Sequence, residues 1–150
     1  MVVETRNIIF LGASYAGLGA SHYFLKHVHP HLPTDQDITY KAILIDPSAK
    51  WYLRHASPRA VVSAEIIPAD KLFLDIEPGY RQYGDKVEFV QGKATSWDET
   101  SRTLTLSKAD GSEVRISLDS TLHLDWIVVA PTASSSLYLT QILPSLRSHS

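Results

Sequence analysis

A run near the start of the chain constrains its fold more than anything else in the sequence. Residues 7–11 (NIIFL) have the apolar character of a buried strand, and they pass without a spacer into Gly12-Ala13-Ser14-Tyr15-Ala16-Gly17. A helix is expected from there to about Val28, with Ala16, Ala20, Phe24 and Val28 at four-residue spacing as its sheet-facing stripe. A polar, proline-containing connector follows at 29–37 (HPHLPTDQD). A second strand is expected at 40–45 (YKAILI), closed by Asp46. Strand, glycine turn, helix and strand form a βαβ unit, with parallel strands and a right-handed crossover.

Further along, residues 75–83 read as a short helix and 87–90 as a third parallel strand. Residues 103–107 and 114–118 alternate in polarity around Asp110-Gly111, a hairpin turn signal. Residues 126–130 (WIVVA) form a last apolar strand. Residues 51–62, rich in aromatics and Arg, show no regular period. The expected architecture is α/β: a mainly parallel, Rossmann-like sheet with a small antiparallel meander beside it.

The glycine turn has a chemical reading. In the dinucleotide fingerprint G-x-G-x-x-G, the first Gly makes the tight turn. The second admits the pyrophosphate, and the third lets helix and strand pack closely. Gly12 and Gly17 occupy the first and third places, and Ser14 the second. The helix N-terminus behind them offers free N–H groups and a positive dipole end. Gly12, Ser14, Ala16 and Gly17 are therefore candidate cofactor-binding positions, with Asp46 the candidate partner of a ribose hydroxyl. Ser14 also sits where a hydrolase nucleophile elbow would carry its serine. Position 16 is Ala, however, and such folds need several strands before their elbow.

Composition excludes several other classes. The net charge of −2 over 150 residues offers no basic surface for nucleic acid. No apolar run is long enough to span a membrane, and Glu4 and Arg6 do not suit a signal peptide. The absence of Cys removes disulfides, cysteine-bound zinc and redox thiols, and accords with a cytoplasmic setting. His27, His29 and His31 alternate, with His22 nearby, yet no carboxylate joins them. They read as a solvated loop, and no metal is expected.

On these residues the chain resembles fungal apoptosis-inducing-factor-like FAD-dependent NAD(P)H oxidoreductases of the pyridine nucleotide-disulfide oxidoreductase superfamily. The likeness runs from NIIFLGASYAGLG through LIDPSAKWYLRHASPRAVV and IPADKLFLDIEPGYRQYGDKVEFVQGKATSWDETSRTLTL to LDWIVVAPTAS, about residues 7–134. It implies FAD as cofactor and places Arg54, His55 and Arg59 near the flavin ring, with Ala130 at the end of a strand that meets the nucleotide. The sequence departs from the pattern in two places. The family's Ala-Thr-Gly is Ala130-Pro131-Thr132 here, and His55 stands where the family has Pro. Pro131 fixes φ and lacks an N–H. The family also continues into a nicotinamide-binding unit and returns to finish the FAD domain, whereas these 150 residues read as one truncated FAD-binding-like domain. Weak or absent FAD binding by the isolated chain is the expectation.

Three functions follow from this reading. One is an oxidoreductase fragment that is not a complete redox enzyme by itself. Another is a cofactor-independent isomerase or cyclase of a fungal small-molecule pathway, with His55, Asp46 and Tyr52 as acid–base candidates. The third is a non-catalytic interaction subunit. The expected partners are a small-molecule ligand and either a second copy of the chain or a completing subunit, docked in part through the apolar residues of 137–146.

Overall fold

The computed structural model describes residues 4–33, 38–63, 65–117 and 127–129. In chain order the regular elements are β1 (Glu4–Leu11), α1 (Tyr15–Tyr23), β2 (Ile38–Asp46), β3 (Lys50–Tyr52) and α2 (Ser57–Val62). They continue with β4 (Phe73–Asp75), α3 (Glu77–Tyr80), β5 (Val87–Gln91), β6 (Lys93–Asp98), β7 (Thr103–Ser107), β8 (Glu113–Ser117) and β9 (Ile127–Val129).

Alternation along β1 and β2 builds the core on two faces. Side chains of a strand point alternately to opposite sides, so a strand buried on both faces is apolar throughout. Ile8, Phe10, Ala42 and Leu44 pack with Leu25, Ile76 and Tyr80 on the helical side. Ile9, Leu11, Ile43 and Ile45 pack with Leu104 and Leu106 on the other. The molecule is thus layered: helices α1 and α3, a parallel sheet, and an antiparallel sheet.

The parallel sheet has the order β5-β2-β1-β9. β1 pairs with β2 from Glu4↔Ile38 to Leu11↔Ile45, in parallel, and with β9 at Ile9↔Ile127 through Leu11↔Val129. That is the 3-2-1-4 order of a Rossmann-like fold, and the direction of winding reverses at β1. The antiparallel sheet has the order β6-β7-β8, and the Asp110-Gly111 turn joins β7 to β8 with Gly111 at φ 80°. A small third sheet pairs β3 with β4.

Three local expectations need correction. Of the expected α1 stripe, Ala20 and Phe24 pack against the core, whereas Ala16 and Val28 are exposed; the fully buried positions are Gly17 and Ser21, continued by Leu25 beyond the helix end. Small residues let the helix approach the sheet, and Ser21 Oγ satisfies itself by donating to Gly17 O at 2.8 Å. The helix also stops being α-helical at Tyr23. A π-helical turn runs over Phe24–Val28 and a 3-10 turn over His29–His31. The helix expected at 75–83 is α only over Glu77–Tyr80 and then tightens into a 3-10 stretch over Arg81–Lys86, kinked at Gly84 (φ 57°). Ala130, Pro131 and the apolar segment 137–146 lie outside the described residues.

Candidate functional site

In open parallel sheets, ligands bind beyond the carboxyl ends of the strands, where the winding reverses. Here that point is the end of β1, where Gly12 begins the turn. Gly12 adopts φ 98°, a conformation that disfavours any side chain, and its N–H donates to Ile45 O at 2.8 Å. The next residue is pinned by Asp46: Ala13 N–H donates to Asp46 Oδ2 at 2.7 Å. The other carboxylate oxygen, Oδ1, accepts from Ser48 N–H at 2.8 Å. Asp46 is only 7% exposed, so these contacts replace water around its charge. The acid that the sequence offers to a ribose therefore also holds the glycine turn against β2.

Ser14 follows. Its Oγ is buried and has no hydrogen-bond partner among the described residues. A buried hydroxyl without a partner costs roughly 1–3 kcal/mol, so its position calls for an acceptor or donor. Its carbonyl accepts from Leu18 N–H at 2.8 Å, which opens α1. The first N–H groups of a helix lack partners within it, so Ser14 Oγ and the start of α1 together suit a phosphate oxygen. Gly17 is buried against the sheet, while Ala16 is exposed on the first helical turn.

Among the described residues, no hydrogen bond or ring contact joins the three acid–base candidates to one another. Asp46 is engaged with the turn. Tyr52 takes a hydrogen bond from Ser57 Oγ at 2.6 Å and stacks on Phe73, with ring centroids 5.2 Å apart. His55 is hydrogen-bonded elsewhere. Its Nδ1 lies 2.8 Å from the hydroxyl of Tyr15, a residue that sequence reasoning passed over. Tyr15 also sets its ring edge-on to Trp51 at 4.9 Å. Nothing in the sequence marks residues 40 positions apart as partners; only the return of the chain after β2 brings them together. Arg54 and Arg59 are exposed and form no ion pair with Glu65 or Asp70 among the described residues.

The histidines expected in a solvated loop are used individually. His29 Nε2 lies 3.1 Å from Tyr40 O, and His27 packs on Tyr23. Among the described residues, no group of three or more His, Asp or Glu converges on a metal-sized site, and no helix is long and apolar enough to cross a membrane.

Curated relatives give this geometry a chemical context. Oxidoreductase phnG of Penicillium herquei is 39% identical over 141 residues, 91% of this chain and 32% of the relative. Oxidoreductase ptaL of Pestalotiopsis fici is 36% identical over 115 residues, 76% of this chain and 29% of the relative. Both of these relatives are named as oxidoreductases. The chain spans about a third of their length. Among solved structures, the NAD-dependent persulfide reductase of A. fulgidus superposes with a TM-score of 0.58 at 18% identity, over 82% of this chain and 21% of that one. At that identity the likeness is one of fold. No protein-family profile matches the chain.

Proposed function

We propose that the chain is the FAD-binding unit of an NAD(P)H oxidoreductase of the fungal apoptosis-inducing-factor-like kind, and that residues 1–150 form a single nucleotide-binding unit. The observation that carries this reading is the unpartnered, buried Ser14 Oγ at the start of α1, beside a glycine turn held by Asp46. In this reading Gly12, Ser14, Ala16 and Gly17 hold the diphosphate. Asp46 keeps the turn in shape, and each of its oxygens retains a lone pair that suits a ribose hydroxyl. Arg54 and Arg59 supply positive charge towards the flavin end. When bound, FAD supplies a two-electron acceptor for hydride.

Such a unit does not transfer hydride alone. The donor nicotinamide must lie within roughly 3–3.5 Å of the flavin, which calls for a second nucleotide site supplied from outside these residues. A ligand site also buries most of its ligand, and the turn offers one wall. FAD binding by the isolated chain is therefore weak, and a completing subunit or a second copy strengthens it. A cytoplasmic setting fits a chain without cysteine.

The test is a fluorescence titration with FAD, repeated in the presence of ADP and compared with riboflavin. Because the grip is on the diphosphate, FAD should bind weakly but saturably, ADP should displace it, and riboflavin should bind at least tenfold more weakly. Equal affinity for FAD and riboflavin, or no displacement by ADP, would overturn the reading.

A further inference from the structure

The contact between Tyr15 and His55 is not explained by a nucleotide grip. It joins two exposed side chains from different elements, the first residue of α1 and the 3-10 turn over Arg54–Ala56. Long-range hydrogen bonds between exposed side chains contribute little to stability, because water competes for both partners. Yet this one is short, at 2.8 Å, and Tyr15 is steadied on both sides: edge-on to Trp51 and, at 5.5 Å between centroids, to the His55 ring itself. It lies beside the glycine turn, at the carboxyl end of β1, where this fold binds ligands. Tyr15 keeps 58% of its surface exposed, so its hydroxyl is held by His55 while its ring stays open to a ligand.

We propose that Tyr15 and His55 form a proton-transfer pair for a planar ligand bearing an acidic hydroxyl on an unsaturated carbon, a phenol or an enol. The pair works in the tautomer whose hydrogen sits on Nε2, leaving Nδ1 to accept. The ligand hydroxyl gives its proton to Tyr15 Oη as Tyr15 passes its own proton to His55 Nδ1. One O–H bond of the ligand breaks, one N–H bond forms on the imidazole, and Tyr15 ends as it began. The products are a ligand oxyanion and an imidazolium, and the reverse step returns the proton with no change of oxidation state. An imidazole is too weak a base to take the proton of a simple alcohol, which restricts the ligand to far more acidic hydroxyls, phenols and enols. Tyr15 and Trp51 offer aromatic surface to a flat, conjugated ring.

The probe is 4-nitrophenol, whose phenolate is coloured, added to the full chain at a pH where the free probe is mostly neutral; 4-nitroanisole, which has no proton to give, is the control. The wild-type chain should shift the nitrophenol spectrum towards the phenolate and leave nitroanisole unchanged. Tyr15→Phe keeps the ring and should weaken nitrophenol binding about tenfold, as loss of a hydrogen bond to a charged group does. His55→Gln should abolish the spectral shift. No shift with the wild type, or an equal shift in both variants, would overturn the proposal; the wild-type spectrum decides alone if a variant fails to fold. ADP should leave the shift in place, so a failed nucleotide grip and a failed proton-transfer pair are told apart.

Discussion

Among the described residues, two histidines are hydrogen-bonded to a tyrosine hydroxyl, and their surroundings differ. His22, on α1, stacks on Tyr80 with centroids 4.3 Å apart and an interplanar angle of 15°, and its Nδ1 lies 3.0 Å from the Tyr83 hydroxyl. Tyr80 is buried and shares a 2.6 Å hydrogen bond with Ser21 Oγ, itself fully buried. Here the polar atoms answer one another inside the helical layer and fix how α1 sits on α3. His55 and Tyr15 make a bond of similar length in the open. The same pair of residue types serves architecture where it is partly buried and remains available to a ligand where it is exposed.

The largest effect should come from breaking the buried pair. Tyr80→Ala removes a ring from the core cluster and should cost about 3–5 kcal/mol, read as a fall in chemical-denaturation midpoint. Tyr80→Phe keeps the ring and should cost about 1 kcal/mol, because Ser21 Oγ still donates to Gly17 O.

A pH profile of stability sharpens the contrast next. Burial lowers the His22 pKa from 6.5 and, as the leading cause, raises that of Tyr80 from 10.0 to about 12. A histidine with a depressed folded pKa contributes stability above pH 6.5 that is lost as pH falls through its folded value. A tyrosine with a raised folded pKa contributes stability below pH 10 that is lost as pH rises towards 12. Thermal melts across pH should show both limbs. His22→Gln should flatten the acid limb and Tyr80→Phe the alkaline one. The smallest effect belongs to the exposed pair: Tyr15→Phe should change stability by less than about 0.5 kcal/mol, as surface substitutions do. A large destabilisation would make Tyr15–His55 a structural clasp and erase the comparison.

The βαβ unit was legible because its signals reinforce one another. The apolar runs at 7–11 and 40–45 sit in β1 and β2, paired in parallel, and Asp110-Gly111 turns where its φ requirement predicts. Other elements were hidden for physical reasons. In β6 the register shifts between Ala94 and Ser96, so Ala94 and Trp97, three apart, pack on the same cluster and the two-residue alternation is broken. β3 and β4 are three residues each and largely exposed, too short for any period. The α1 stripe was half legible: Ala20 and Phe24 pack against the core as their spacing predicts, but Ala16 and Val28 are exposed, and the fully buried positions are the small Gly17 and Ser21, which an apolar pattern does not mark. The turn residues of the candidate site came from the glycine pattern. Tyr15 did not, since its partner is set by tertiary return of the chain.

The bond from Ala13 to Asp46 ties a local motif to a residue 33 positions away. The glycine turn is therefore not a cassette. Without β2 alongside, Gly12 and Ala13 lack the carbonyl of Ile45 and the carboxylate of Asp46 that hold them, so the shape of the turn depends on the closure of the long loop between them. A protein engineer who transplanted residues 7–17 into another scaffold would carry across the letters of the motif and leave its shape behind, unless an acidic residue at the end of a neighbouring parallel strand went with them.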